Sequence, residues 1–309
     1  MPTSGLLILD KPYGMPSFKM VQLLKRRFRW QKIGHVGTLD PLATGVLPVC
    51  IGKATKLIPY LMERHKGYEA LVRLGVDTQT QDREGGVTRI YCGRDYPSIA
   101  DVEETLKGFR GEIKQIPPMY SALRYQGRRL YEWARDGHVI PRNPRKVFID
   151  QLRCLAYDYP FLLIDVSCGK GTYIRTLAAD IGWDLGTGGH LWALKRLSVG
   201  GYTMDQALPW EQVMGMTREE MESYFIPMGE ILSFLPLVTV DHEEKEAMKN
   251  GRSFLVMKPQ EICPLNGFSL FRVQDQEGEF LGLGSVVSDQ KNGFISETYI
   301  KPSLVVVHS

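Results

Sequence analysis

The stretch Gly34-His35-Val36-Gly37-Thr38-Leu39-Asp40-Pro41-Leu42-Ala43-Thr44-Gly45 packs three glycines, one histidine and one carboxylate into twelve residues. Glycine allows positive φ or close backbone approach. Pro41 fixes its own φ and pushes Asp40 towards an extended conformation. Neither helical nor strand periodicity fits, so a structured loop is expected, and such loops carry chemistry more often than packing. The chemistry on offer is that of a carboxylate, which can act as a nucleophile when ionised. Its candidate companions are Tyr173 and Arg175, in Thr172-Tyr173-Ile174-Arg175, where a strand is expected to turn into a helix. An arginine beside an aspartate typically lowers the carboxylate pKa by about 1–3, so Asp40 is expected to be held ionised below the usual range. Two plainer readings stay open at this level: a turn in which Asp40 accepts backbone N–H bonds, and a structural Asp–Arg pair.

Other chemistries fail on spacing. Gly52-Lys53 and Gly169-Lys170 invite a phosphate loop, but Leu47 and Ile164 stand where its first glycine belongs, and Ala54 and Gly171 follow the lysines. Gly186-Thr187-Gly188-Gly189 follows no expected strand, which argues against a dinucleotide fingerprint. There is no G-x-S-x-G elbow. His242-Glu243-Glu244-Lys245-Glu246 lacks the second histidine of a zincin and reads as a solvated helix face.

The elements that must position Asp40 are legible in outline. Gly5–Asp10 reads as a short buried strand. Ser17 is placed to cap a helix to about Arg29, with Phe18, Val21, Leu24 and Phe28 on its apolar face. Val46–Ile51 has strand character and Thr55–Arg64 helical character. Tyr68–Leu74 alternates, with Tyr68, Ala70, Val72 and Leu74 on one face. Thr78–Gly86 reads as a loop. Ser98-x-x-Asp101 is a capping box for a helix to about Phe109, and Leu123–Ala134 is expected to be helical. Val147–Tyr157 and Phe161–Cys168 look like paired strands, with a turn at Gly169–Gly171 and a helix from Thr172. Gly186–His190 reads as a turn. Strands and helices mix without βαβ alternation, so the fold class expected is α+β with a mixed or antiparallel sheet. After Pro227–Pro236 come short strands (Val238–Val240, Ser253–Val256, Phe268–Asp275, Glu279–Val287, Leu304–Val307) with turns at Gly251, Gly267, Gly278 and Gly293, read as a small β-barrel-like module.

The 309 residues, 43% hydrophobic and 24% charged, describe an ordinary globular composition. The apolar run Leu6–Leu9 stops at Asp10, too short for a signal peptide, and no later run approaches spanning length. Five scattered cysteines without a C-x-x-C pair argue against a disulfide framework or a zinc site and for a reducing cytoplasm. The net charge is +3, but unevenly spread. Residues 19–32 hold six basic residues and no acid; 120–146 hold seven against two, interleaved with Tyr120, Tyr125, Tyr131 and Trp133; 236–309 hold seven against ten. The positive field of the first three quarters points to a polyanionic partner.

Taken together, these segments resemble the TruB-type tRNA pseudouridine synthases. The resemblance is carried by Asp10-Lys11-Pro12-x-Gly14-x-x-Ser17, the Gly34–Gly45 stretch, Gly52-Lys53-Ala54-Thr55-Lys56, Tyr68 with Leu74-Gly75-x-x-Thr78-x-Thr80-x-Asp82-x-x-Gly85, Gln115-x-Pro117-Pro118-x-Tyr120-Ser121-Ala122, and Lys170-Gly171-Thr172-Tyr173-Ile174-Arg175. It runs from about residue 5 to residue 230. Gly251, Phe271–Asp275 and Gly278–Gly284 resemble a PUA domain. Arg124 (usually lysine), Gly169 (serine), Gly189 (alanine) and Lys195 (arginine) depart from the family pattern.

The resemblance implies a pseudouridine synthase fold, a catalytic domain over 1–232 with an RNA-clamping insertion at about 120–146, and a PUA-like RNA-binding domain over 236–309. It implies isomerisation of the T-loop uridine of tRNA, position 55, after the base is flipped out of its loop. Asp40, Tyr68 and Arg175 would be catalytic: Asp40 acting on ribose or base, Tyr68 stacking on the base and moving a proton, Arg175 pairing with Asp40. Lys11, His35, Tyr173, Leu194, Arg124 and Arg128 would bind RNA, with His35 filling the space left by the flipped nucleotide. No cofactor and no metal are needed, because nothing is oxidised or hydrolysed. The expected partner is the T-arm of tRNA, with no membrane, no obligatory protein partner, and a cytoplasmic monomer. Two alternatives remain: a non-catalytic RNA-binding protein or tRNA-folding chaperone, and a guide-RNA-dependent rRNA synthase.

Overall fold

A computed structural model describes residues 4–255, 270–291 and 294–306. Most of the chain is organised by one eleven-stranded mixed sheet. Its strands include β1 (Gly5–Lys11), β2 (Ile33–His35), β3 (Ala43–Ile51), β4 (Lys66–Leu74), β5 (Gly111–Gln115), β6 (Arg145–Asp158), β7 (Phe161–Cys168), β8 (Gly189–Val199) and β9 (Leu208–Pro209). The main path runs β9-β1-β3-β8-β4-β7-β6-β5. β3 and β8 pair in parallel, as do β1 and β9; the other pairs on this path are antiparallel. The expected α+β class with a mixed sheet is what the chain adopts.

The alternation read in Tyr68–Leu74 places Tyr68, Ala70, Val72 and Leu74 in the core. Over that face pack helices α2 (Ile99–Gly108) and α4 (Ile174–Asp184), through Val102, Leu106, Leu177 and Ile181. Helix α2 starts with the expected capping box: the Ser98 hydroxyl accepts from the Asp101 N–H and the Asp101 carboxylate accepts from the Ser98 N–H. Helix α1 (Ser17–Phe28) covers another part of the sheet, burying Met20, Leu24 and Phe28 against Leu7, Leu9 and Leu47. Its lysines and arginines face outward.

Several expectations are corrected. Ser17 is not the cap of α1; Pro16 holds that position, and the buried Ser17 hydroxyl bonds instead with the carbonyl and N–H of Leu39, 3.0 Å each. Phe18 is exposed and Met20 takes its place in the core, because the face is set by the sheet beneath it. Thr55–Arg64 is a 3-10 turn from Gly52 to Leu57 followed by a short helix, Ile58–Met62. Leu123–Ala134 is not one helix. Arg124–Tyr125 and Arg128–Arg129 pair as a hairpin, turned at Gln126 and Gly127 with φ of 50° and 81°, and only α3 (Leu130–Arg135) is helical. Two successive positive φ values give a tight turn with the twist that hairpins need. The α4 helix begins at Ile174, not at Thr172.

Gly186–His190 is expected as a turn, but Gly189 and His190 open a long strand, β8, that no local signal marks. It is buried or half-buried except at Lys195 and bulged at two places against β4, so it lacks the clean alternation that marks a half-exposed strand.

The C-terminal part forms a separate five-stranded sheet: β10 (Leu237–Val240), β11 (Phe254–Leu255), β12 (Phe271–Asp275), β13 (Phe280–Lys291) and β14 (Phe294–Val305), in the order β10-β12-β13-β14-β11. The segment starting at His242 is helix α5 (His242–Lys249), capped by Asp241 and Glu244, as its solvated charge pattern required. Phe280, Leu283 and Val306 join the same apolar cluster as Leu6, Ile8 and Val46, so the two sheets share a core. Val256, Cys263, Gly267, Phe268, Gly293 and Val307 lie outside the described residues; the other four cysteines are free. Among the described residues no helix is long and apolar enough to cross a membrane.

Candidate active site

Asp40 is delivered by the loop between β2 and β3, and the loop is tied at several points. Gly14 N–H donates to the Pro41 carbonyl at 2.8 Å. Ser17 holds Leu39. Lys11, fully buried, donates through Nζ to the carbonyls of Pro12, Pro41 and Ala43 at 3.0, 3.2 and 2.6 Å. An ammonium has three protons, so none is left for RNA, and Lys11 anchors the loop rather than reaching a phosphate. Burial lowers its pKa to about 8, against the pull of Asp40.

Behind the loop, the parallel pairing of β3 with β8 sets Leu194 opposite Ala43 and Arg196 opposite Gly45. On the other side of β8, Arg196 lies opposite Tyr68 and Leu194 opposite Ala70. Three strands from distant parts of the sequence thus bring residues 43–45, 68 and 194–196 side by side. Gly45 has φ of 98°, and a Cβ there would come within 2.2 Å of the Arg196 carbonyl oxygen. Gly45→Ala is therefore expected to split the β3–β8 pairing and cost about 3 kcal/mol or more of stability, read as a lowered denaturation midpoint.

From the opposite direction, the start of α4 presents Arg175. Its Nε donates to Asp40 Oδ2 at 2.9 Å; Nη1 donates to the Thr80 carbonyl at 3.0 Å and lies 3.4 Å from Asp82 Oδ2; Nη2 donates to the Tyr120 carbonyl at 2.7 Å. Arg175 and Asp82 are buried, whereas the Asp40 side chain is 38% exposed. Asp40 Oδ2 is held, and Oδ1 has no protein partner among the described residues. The carboxylate is open on one side and crowded by protein on the rest. That burial raises its pKa above the usual carboxylate range; Arg175 and Lys11 pull down and Asp82 pushes up. The net direction is upward, opposite to the expectation from the Asp–Arg pair alone, because desolvation outweighs the guanidinium.

Tyr68 and Leu194, 7% and 8% exposed, belong to the same cluster as Leu39 and Leu42. Burial raises the Tyr68 phenol pKa, and Arg196 works the other way. His35, on β2, has a buried Nδ1 without a bonded partner among the described residues; burial and the nearby Arg196 cation lower its pKa against the backbone of Gly37, which favours the neutral ring. Tyr173 precedes α4, its N–H donating to Gln115 Oε1 at 3.1 Å while Gln115 Nε2 donates back to its carbonyl at 3.4 Å. Arg124 and Arg128 sit apart on the hairpin: Arg124 donates to the Gly127 carbonyl at 3.0 Å and Arg128 pairs with Asp136 at 2.5 Å. Their segment reaches the site through the Tyr120 carbonyl on Arg175.

Two residues had no assigned role in the sequence reading. Asp82 lies inside the Thr80-x-Asp82 motif, but its partner is 93 positions away. Arg196 lies on the unrecognised strand. Among the described residues no cluster of His, Cys, Asp or Glu is arranged to hold a metal.

Residues 25–174 match the TruB family pseudouridylate synthase N-terminal domain, and residues 175–233 the tRNA pseudouridylate synthase B C-terminal domain. The chain is 40% identical over 293 residues to tRNA pseudouridine synthase B of Pseudomonas aeruginosa, covering 93% of both chains. It is 40% identical over 280 residues to the protein of that name from Clostridium kluyveri, covering 91% of this chain and 94% of the relative. Among solved structures, an H/ACA RNP bound to a substrate RNA containing 2'-deoxyuridine aligns with a TM-score of 0.71 at 22% identity, over 98% of this chain and 85% of that one. A Cbf5-Nop10-Gar1 complex aligns at 0.69 and 24%, over 98% and 85%. These likenesses show the pseudouridine synthase fold. With the near-full-length identity to the relatives, they establish that the chain belongs to the TruB family of pseudouridylate synthases.

Proposed function

We propose that this chain isomerises the T-loop uridine of tRNA, position 55, to pseudouridine, with Asp40 as the acting group. One observation carries the assignment: Asp40 is partly exposed, keeps one oxygen on Arg175, and has no bonded partner for the other among the described residues. The curated relatives are named for tRNA pseudouridine synthesis. In the reaction the N1–C1′ bond breaks, the uracil turns, C5 bonds to C1′, the C5 proton is lost to solvent and N1 takes up a proton, so the composition of the uridine is unchanged. A carboxylate can serve by attack on C1′, by addition to the base, or by taking a ribose proton. Each route needs Asp40 ionised.

Tyr68 and Leu194 would flank the uracil and His35 would occupy the gap it leaves. Extruding a base costs a few kcal/mol, and stacking on an aromatic returns about 1–3 kcal/mol. Tyr173 would line the entrance. The segment 120–146, with Arg124 and Arg128, would clamp the T-arm as part of a catalytic unit spanning 1–232. Residues 236–309 would add a PUA-like RNA-binding unit with few phosphate contacts, given seven basic residues against ten acidic.

The test is tritium release from C5-labelled uridine in a T-arm stem-loop. Release at the T-loop uridine supports the proposal; tight binding without release would replace it with an RNA chaperone. Phosphate contacts also predict that raising salt from about 50 to 200 mM weakens T-arm binding by about 10- to 100-fold, measurable by filter binding.

A further inference from the structure

Tyr13, Arg83, Trp192 and Arg73 form a row in which rings and cations alternate. The guanidinium carbon of Arg83 lies 4.9 Å from the centre of the Tyr13 ring and 5.6 Å from that of Trp192, and the guanidinium carbon of Arg73 lies over Trp192 at 5.2 Å. Phe161 closes the far end, its ring edge-on to Trp192 at 5.8 Å. Tyr13 is 55% exposed, Phe161 is exposed, and the other three are half-buried. The row is assembled from distant parts of the chain. The β-pairing sets Arg73 of β4 opposite Phe161 of β7 and His190 of β8. The Arg83 N–H donates to the Leu191 carbonyl at 3.0 Å, which brings its loop alongside Trp192.

Neither arginine is neutralised. Among the described residues no ion pair includes Arg73 or Arg83, and the buried Nε of Arg73 has no acceptor. Arg128, Arg153 and Arg218 differ: they pair with Asp136, Asp165 and Glu222. An aromatic face attracts a cation through its quadrupole but carries no charge to cancel it. The rings therefore restrain two planar forks while leaving both positive charges in place. A restrained fork with unused donors suits a phosphate, which it can bind through two parallel hydrogen bonds.

The position of the row selects the phosphate's source. Tyr13 precedes Gly14, whose N–H holds the Pro41 carbonyl beside Asp40. Arg83 follows Asp82, which faces Arg175. Trp192 lies two residues before Leu194 on β8. The row thus begins next to the frame of the candidate active site and runs away from it, across β8 and onto β4. We propose that it is a phosphate-binding track for the RNA substrate, with Arg83 and Arg73 each taking one backbone phosphate of the strand that leads away from the flipped uridine. This rests on the reading of the chain as a synthase acting on tRNA.

The experiment is filter binding of a full-length tRNA transcript between about 50 and 200 mM salt. It compares wild type, Arg83→Gln, Arg73→Gln, the double variant and Arg153→Gln, with denaturation midpoints to verify folding. Each track substitution is expected to weaken binding about three- to tenfold and to lower the slope of log affinity against log salt by about one, and the double variant to lower it by about two. Arg153→Gln removes the same charge from an arginine already paired with Asp165, and its slope is expected to match wild type. An unchanged slope in the double variant would make the row intramolecular packing alone and overturn the proposal. An equal drop with Arg153→Gln would also overturn it, by tracing the effect to net charge. Should the double variant fail to fold, Arg83→Gln decides alone, since Arg83 lies on a loop. Tritium release by wild type tests the reading of the reaction separately: without release that reading fails, while the salt slopes still decide the track.

Discussion

Asp40→Asn is expected to abolish turnover of a T-arm substrate, by about 10⁴-fold or more in kcat, while leaving affinity for the RNA within about tenfold. The substitution is nearly isosteric and keeps a carbonyl oxygen where Arg175 Nε donates. Arg175 would remain held by Asp82, Thr80 and Tyr120, so the frame of the site survives. What is lost is the ionised oxygen that can attack carbon or take a proton, and an amide does neither. RNA binding should change little, because the segment proposed to clamp the T-arm, with its basic side chains, lies elsewhere. Single-turnover tritium release and filter binding separate the two quantities, and turnover by Asp40→Asn at the wild-type rate would overturn the mechanism. The same reasoning sets a pH dependence. Asp40 must be ionised, and burial holds its pKa above the ordinary range. Activity should therefore fall with acidification sooner than for a solvent-exposed aspartate. Asp82 contributes to that upward shift, so Asp82→Asn should move the acid limb of kcat to lower pH.

Arg175→Met is expected to be the second most damaging change, and to damage two things at once. The side chain has similar bulk, but four oxygens lose their donor. Asp82, 6% exposed, is left as a buried charge without its cation. Breaking a buried pair from one side typically costs about 3–5 kcal/mol, visible as a lowered midpoint of denaturation. On the catalytic side, Asp40 loses the group that fixes Oδ2 and the strongest influence drawing its pKa down. A loss of about 10³-fold in kcat is expected, with the acid limb moving to higher pH, opposite to Asp82→Asn. Arg175→Lys should recover part of the stability but little of the rate, since a single ammonium cannot reproduce the geometry of the guanidinium fork. A variant with normal kcat would show that the Asp40–Arg175 contact is structural only.

The parts of this site that were legible in the sequence are those whose signal is local. Asp40 announces itself through the glycines and proline around it, Tyr68 through strand alternation, and the Ser98 capping box through two residues three apart. Arg175 is only a candidate partner for Asp40 on pattern, at the expected strand-to-helix turn; 135 positions separate them and no periodicity links the two, so a plain structural pair stays open until the family resemblance. Asp82 and Arg196 were missed for the same reason: each is defined by what it faces across the fold. Ser17 shows the limit of local rules. It is the right residue type for a cap, yet its hydroxyl is committed to Leu39. The direction of the Asp40 pKa was misjudged because pairing is visible in residue types, whereas desolvation depends on how many atoms crowd the carboxylate.

The position of β8 in the sheet has a consequence for how the chain comes into being. Until about two hundred residues have left the ribosome, β3 and β4 have no strand between them, and the Ala43–Gly45 end of β3 and one whole edge of β4 stay unpaired. A nascent or truncated chain ending before Gly189 would carry Asp40 and Tyr68 on separate ribbons, with backbone donors and acceptors open to any passing strand. Contacts so distant in sequence form late and slowly. Birth of the enzyme's competence and closure of this exposed edge are thus the same event, the arrival of one late strand.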